Sequence, residues 1–123
     1  MAIASITLGY PAGTKLFQDT AQSSAAAVAV AVAGVTIYEI EIDNTMNAAQ
    51  ANYVKFFNSA GAIIVGTTIP DMVIMIPAAV KRSLVFPEGI AFGTGLAIDT
   101  TTAGGTAGAG APGAALTVRV VYA

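Results

Sequence analysis

The chain contains no cysteine, no histidine and no tryptophan. Without cysteine it can form neither a disulfide nor a thiolate metal site. Without histidine it lacks the side chain most often used for proton transfer near neutral pH and as a transition-metal ligand. These absences count against an enzyme, and we expect no catalytic residue, no cofactor and no metal.

Charge is also scarce. Only 10% of the residues are charged and 55% are hydrophobic, whereas about 25% of the residues in ordinary soluble domains are charged. A chain of this composition is expected to expose apolar surface, and large exposed apolar patches usually bind a partner. The composition therefore predicts a protein that works in an assembly.

Two classes of partner are not expected. Among the five basic residues only Lys81 and Arg82 are adjacent, so the chain lacks the basic stripe that neutralises nucleic-acid phosphates. The longest uncharged apolar run, 25–35, has 11 residues and contains a glycine, while a membrane-spanning helix needs about 18 or more. The first residues also lack the basic region of a secretory signal.

The clearest structural pattern is the alternation in 35–44. Successive side chains of a strand point to opposite faces, so the apolar face is predicted to hold Tyr38, Ile40 and Ile42. The other face carries three carboxylates, Glu39, Glu41 and Asp43. We interpret the carboxylates as a solvated face, because nothing nearby would raise one pKa for glycosidase chemistry and calcium sites favour turns.

Further short apolar segments follow, separated by glycine and proline. Strands are predicted at 25–33, 72–76, 81–86, 90–92, 96–100 and 116–122, and a hairpin joins 52–58 to 62–65. Pro87-Glu88-Gly89 predicts a turn. About eight or nine short strands without a helix predict an all-β, antiparallel two-sheet sandwich that is jelly-roll-like.

The chain is predicted to comprise an extended N-terminal arm, 1–24, and a single β-sandwich domain, 25–123. In the arm, Tyr10, Leu16 and Phe17 are large enough to anchor it against a neighbouring subunit. The same residues could instead cap the protein's own core, and the sequence leaves both possibilities open. We therefore treat these three as candidate interface residues.

Residues 108–113 formally match the dinucleotide-binding pattern G-x-G-x-x-G. That pattern functions between a strand and a helix whose N-terminus holds the pyrophosphate. Here a proline and a predicted strand surround it, so we interpret the segment as a Gly-rich loop that is flexible or extends over a neighbour.

Several segments together resemble a known group of virion proteins. They are Tyr38-Glu-Ile-Glu-Ile-Asp-Asn44 with Asn47, Tyr53-Val-Lys-Phe-Phe57, Val65-Gly-Thr-Thr-Ile-Pro70, Phe86-Pro-Glu-Gly-Ile-Ala-Phe92 with Gly95-Leu, and Leu116-Thr-Val-Arg-Val-Val-Tyr122. This series of turns and strands is similar to the small β-sandwich decoration, or cement, proteins of tailed bacteriophage capsids. The resemblance spans 38–122 and does not include 1–34.

The resemblance implies a structural protein on the capsid surface of a virion. Its partners would be the major capsid protein and further copies of itself, often as a homotrimer, and the family brings no catalytic residues. Two alternatives stay open. One is a receptor- or carbohydrate-binding module of a tail fibre, although the low aromatic content of 7% disfavours sugar stacking. The other is a carboxylate-based glycosidase using Glu39 and Glu41.

Overall fold

The computed structural model describes residues 15–24 and 26–123. Within them the chain forms eight β-strands: β1 (Lys15–Gln22), β2 (Val28–Ala31), β3 (Val35–Asp43), β4 (Asn52–Phe57), β5 (Met72–Ile76), β6 (Lys81–Phe92), β7 (Leu96–Thr101) and β8 (Leu116–Tyr122). Sheet A has the strand order β1-β8-β3-β6, and sheet B has the order β2-β7-β4-β5. Every pairing is antiparallel.

This strand order is that of an eight-stranded jelly roll, in which two four-stranded sheets pack face to face. The prediction of an all-β, two-sheet sandwich is confirmed. Alternate residues of both sheets point inward, and the fully buried aliphatic and aromatic side chains of the core come from both sheets: Ile37, Ile40, Ile42, Val54, Phe56, Ile76, Leu96, Ile98, Leu116, Val118 and Val120. Burying each of them contributes about 1.5–3 kcal/mol relative to an exposed position.

β1 lies inside the segment that the sequence assigns to an arm. Its residues pair with β8 from Lys15 opposite Tyr122 to Gln22 opposite Leu116. These eight residues therefore form an edge strand of sheet A. Residues 1–14 of the predicted arm lie outside the described residues, and 23–24 follow β1 in the connection to β2.

The predicted hairpin between 52–58 and 62–65 is wrong. β4 pairs with β5 on one side and β7 on the other, and 62–65 belong to the connection between β4 and β5. The apolar residues of that segment suggested a strand, but both hydrogen-bonding sides of β4 are already occupied.

No turn divides β6 at the predicted position, because β6 is one strand from Lys81 to Phe92. The pairing with β3 is interrupted there, however, since 86–89 lie between the paired residues of β6 and have no partner on β3. Against β8 the extra residue is on β3, which is a β-bulge at Tyr38. As a result Ile37 and Ile40 both reach the core, whereas the Tyr38 ring lies beside Gly89, where a Cβ would be 3.0 Å from Cε1. Gly89 has φ +77°, which glycine adopts without the cost a side chain adds.

A buried polar cluster joins the two sheets at one end. The Asn44 amide nitrogen donates to the carbonyls of Gln50 (3.0 Å) and Pro77 (2.9 Å). Its oxygen accepts from the side chains of Asn47 (2.8 Å) and Asn52 (2.9 Å). Because the three asparagines satisfy backbone groups of several connections, their role is structural.

Candidate interaction surface

The outer face of sheet A carries a row of polar residues across all four strands. Gln18 on β1, Arg119 on β8, Glu41 on β3 and Ser83 on β6 are direct cross-strand partners. Arg119 donates to Gln18 Oε1 (2.8 Å) and to Glu41 Oε1 (3.1 Å). Lys81 lies 3.4 Å from the same Glu41 oxygen. The row is thus a network in which one carboxylate is paired with two cations.

Two of the three carboxylates singled out in the sequence have polar partners in the structure. Glu41 binds two cations, and Asp43 accepts hydrogen bonds from the Thr45 amide and hydroxyl. The Thr45 hydroxyl, followed by its amide, lowers the pKa of Asp43. Within the described ranges no group of three acidic residues is placed to hold a metal.

Apolar side chains lie beside the polar row on the same face. Leu16, Val121, Glu39 and Val85 form the next cross-strand row. Leu16 is 62% exposed and Val85 is 60% exposed. The outer face of sheet A therefore combines exposed aliphatic groups with a charged network, which is a composition typical of non-obligate protein interfaces.

The three candidate interface residues fall in three different places. Leu16 is on the open face just described. Phe17 is half-buried and packs against the protein's own core. Tyr10 lies outside the described residues.

A second apolar surface surrounds β5. We call it the β5 surface and define it by the exposed side chains Ile64, Ile69, Val73 and Met75. Ile64 and Ile69 belong to the connection that leads into β5, and they are 63% and 75% exposed. Val73 and Met75 are on the outer face of sheet B, opposite Lys55 and Tyr53 of β4. All four defining residues are uncharged and apolar, in contrast to the outer face of sheet A.

The outer face of sheet B is covered at its centre by the Gly-rich connection between β7 and β8. Lys55 donates from Nζ to the carbonyls of Gly105 and Gly108, both at 2.8 Å. Gly104 lies against the Tyr53 ring, where a Cβ would be 2.8 Å from Cδ1. The Gly-rich loop was predicted to be flexible or to extend over a neighbour. Instead it packs on its own chain, and two of its carbonyls are bonded to Lys55.

Lys55 and its partner across the ladder are the buried ionisable groups of this face. Asp99 on β7 is directly opposite Lys55, and the two side chains are only 0% and 2% exposed. Burial raises the pKa of Asp99, while the Thr100 amide and the Lys55 charge act in the opposite direction. Burial also lowers the pKa of Lys55, and the charge of Asp99 opposes that change. Nothing in the sequence around Lys55 indicated that its side chain is buried.

A shallow groove runs along β6, lined by 85–90, with a volume of about 370 Å³. Its lining is mainly aliphatic and includes one carboxylate, Glu88. The groove offers surface for contact, and the residues that line it include no nucleophile paired with a base.

The part of the chain that the structure describes contains no helix long and apolar enough to cross a membrane. The chain matches no family model, and comparisons with curated proteins and with solved structures also find no match.

Proposed function

We propose that this chain is a structural virion protein that binds the outside of a bacteriophage capsid and cements the shell through protein contacts. The observation that carries the proposal is the presence of two separate exposed apolar surfaces on one small, charge-poor sandwich. A cement protein needs two such surfaces, because it contacts the shell and further copies of itself.

The two surfaces differ in a way that assigns them to different partners. Interfaces between identical subunits are more apolar, whereas interfaces between separately folded proteins keep a polar rim and ordered water. The outer face of sheet A, with Glu41 and Arg119 beside Leu16 and Val85, fits the shell of major capsid protein. The β5 surface, whose four defining side chains are apolar and which has Asp71 beside it, fits another copy of the chain, and a homotrimer is the assembly we propose.

The polar groups of the protein support a structural role rather than chemistry. Glu41 is neutralised by Arg119 and Lys81, and Lys55 is bonded to loop carbonyls. Carboxylates held in this way are poor candidates for the glycosidase alternative. Glu39→Gln should leave any hydrolytic activity of the preparation unchanged, and that result would exclude the glycosidase alternative.

A shell-binding experiment tests the proposal. Capsids of the encoding phage, stripped of this protein, are mixed with the purified chain and sedimented. The wild type is expected to rebind. The variant Leu16→Lys with Val85→Lys should lose most of its binding, because it places two charges in the apolar row of the sheet A outer face.

Val32→Lys is the matched control, since Val32 is 74% exposed but belongs to neither surface. Equal loss of binding in the control, or full binding by the double variant, would contradict the assignment of the sheet A face. A wild-type protein that ignores stripped shells would contradict the cement function itself.

The predicted arm is tested by deleting 1–14 only, because β1 starts at Lys15 and belongs to the sandwich. The truncated protein should stay folded and lose shell binding if the arm contributes to attachment. Full occupancy by the truncated protein would show that the arm is not needed.

The second candidate is a receptor- or carbohydrate-binding module, and the groove along β6 is the observation that favours it. Binding of a sugar or receptor fragment should then shift amide resonances of 85–90 in NMR spectra. Shell binding with no such shifts would exclude this candidate in favour of cementing.

A further inference from the structure

The strand β5 is an edge strand that lacks the usual protection against pairing. Its sequence, Met-Val-Ile-Met-Ile, is apolar at every position, and among the described strands it pairs only with β4. Natural edge strands are commonly guarded by charges, proline or bulges. An apolar edge of this kind is a template for another strand.

The other sheet edges of the described structure are guarded or short. β6 contains Lys81, Arg82 and Pro87 and pairs with a register shift. β1 contains Lys15 and Asp19. β2 has only four residues and a register shift of its own. Among the described edge strands, β5 is therefore the one that has no charge, proline or register shift within the strand, although Asp71 directly precedes it and Pro77 directly follows it.

A strand added to β5 would also bury apolar side chains. Val73 is 38% exposed and Met75 is 44% exposed on one face of this edge, with Ile69 exposed in the preceding connection. On the opposite face, Met72 and Ile74 pack against the core while staying only partly buried. Burial of apolar area on both faces adds to the hydrogen bonds that an edge strand offers.

The position of the N-terminal segment relative to this edge suggests what occupies it. β1 and β2 are at one end of their sheet orders, and β6 and β5 are at the other end. Only five residues separate β1 from β2 and four separate β5 from β6, so each pair lies on the same side of the sandwich. Fourteen residues precede Lys15, so this segment joins the sandwich at the side opposite to β5. Such an arrangement favours a donor and an acceptor on different copies.

We propose that residues Ile3–Leu8 of one copy pair as an added strand with β5 of the next copy. In this segment Ile6 and Leu8 share one face and Ser5 and Thr7 share the other, so the apolar pair would extend the core while the hydroxyls face outward beside Val73. The six residues 9–14 can span about 20 Å when extended, which is several strand spacings. Because donor and acceptor surfaces differ, the contact is head-to-tail, and a rotation of one third of a turn between copies would close it into the proposed homotrimer.

This inference deepens the self-association part of the proposed function, and its test uses no capsids. The natural chain has no cysteine, so an engineered pair reports one contact alone. The pair Ser5→Cys with Val73→Cys is expected to form disulfides between chains on oxidation. On a non-reducing gel these appear as dimer and trimer bands, which return to the 12.3 kDa monomer when reduced.

The matched control replaces Val73→Cys with Val85→Cys, an exposed valine on the guarded edge strand β6, and Ser5→Cys alone is run beside it. Crosslinking of equal extent in either control, or a disulfide formed only within one chain, would overturn the inference. A Thr7→Cys and Val73→Cys pair covers the neighbouring register, and absence of interchain bonds in both pairs would also overturn it.

A second measurement is independent of crosslinking. Deletion of 1–9 should lower the molar mass in light scattering from that of the oligomer to that of the monomer, with the far-ultraviolet circular dichroism of the sandwich unchanged. An oligomer that survives the deletion, or a wild type that is already monomeric, would overturn the inference. Shell binding by a monomer would leave the cement function standing, so the two proposals fail separately.

Discussion

Lys55 and Asp99 lie directly opposite each other on the neighbouring central strands β4 and β7, and both are enclosed beneath the Gly-rich connection. The lysine ammonium bonds to the carbonyls of Gly105 and Gly108. Neither carboxylate oxygen of Asp99 accepts a hydrogen bond of normal geometry from the described residues. The lysine thus fixes the loop, and the aspartate provides the nearby opposite charge.

Replacing Lys55 should loosen this loop. Lys55→Met removes two charge-assisted hydrogen bonds and leaves Asp99 without its counter-charge, so we expect a loss of about 2–4 kcal/mol in the free energy of unfolding. Urea denaturation measures the loss. Lys81→Met is the control, because Lys81 is a half-exposed partner of Glu41, and such pairs contribute at most about 1 kcal/mol. Equal losses in both variants would contradict the role given to Lys55.

Asp99 should make the stability depend on pH. Burial raises its pKa in the folded state, so the folded protein binds this proton more tightly than the unfolded chain does. The stability that comes from binding this proton is fully present below the unfolded-state pKa of about 3.9, and it is lost as pH rises through the folded-state pKa. Asp99→Asn removes this dependence.

The measurement for Asp99 is the difference in unfolding free energy between Asp99→Asn and the wild type, taken from pH 3.5 to pH 8. The difference should change in favour of the variant as pH rises. Other carboxylates, including Asp43 with its lowered pKa, titrate in both proteins and cancel. A difference that stays constant with pH would show that the Asp99 pKa is not raised.

Gly89 should tolerate no side chain. Its φ is +77°, and a Cβ there would lie 2.3 Å from Thr36 Cγ2, so Gly89→Ala combines backbone strain with a clash. We expect a loss of about 2 kcal/mol or more in thermal or urea unfolding. Gly93→Ala is the control, since a Cβ at Gly93 has open space, and its effect should be close to zero. A neutral Gly89→Ala would show that the β-bulge at Tyr38 can relax.

Asn44 should be the most sensitive of the three buried asparagines. Asn44→Ala removes bonds to backbone carbonyls and the acceptor that the side chains of Asn47 and Asn52 share. Asn47 keeps its bond to the Ala114 carbonyl at 2.8 Å, and Asn52 keeps only a longer one of 3.4 Å to the Gln50 carbonyl. A loss of about 2–4 kcal/mol is expected, because buried polar groups left unpaired are costly. Gln50→Ala is the control, as Gln50 contributes its backbone carbonyl, and it should unfold like the wild type.

The sequence predicted more of the fold than of the surfaces. The predicted strand 116–122 corresponds to β8, in which Val118 and Val120 are buried and Arg119 between them is exposed, as alternation requires. Alternation also placed Ile40 and Ile42 correctly. The alternation failed at Tyr38. A bulge there inserts one residue into β3, so the residues before the bulge point to the opposite face from the one that alternation predicts. Gly89, which makes room for the Tyr38 ring, is far away in the sequence.

The candidate surfaces could be predicted only in part. The scarcity of charge indicated exposed apolar groups, and Leu16 is one of them. Phe17, its neighbour, turned out to pack on the core. Which of two adjacent apolar residues faces outward depends on the register of β1 against β8, and short-range alternation does not specify that register.

By itself the sequence determined the fold class of the protein. Alternation of apolar residues at period two, interrupted by glycine and proline, specifies strands and turns through local backbone geometry. Because the chain contains no cysteine and no histidine, composition alone excludes disulfides and histidine-based chemistry. These properties require no knowledge of distant contacts.

Only the tertiary structure decided which residues meet. It placed Lys55 opposite Asp99, laid the Gly-rich connection over both, and left β5 as an unguarded edge. The physical reason is that a jelly roll pairs strands far apart in the sequence, so burial and charge at a position depend on which strand or loop covers it. A local pattern can assign a residue to a face of a strand, but the packed sandwich determines whether that face is covered or open.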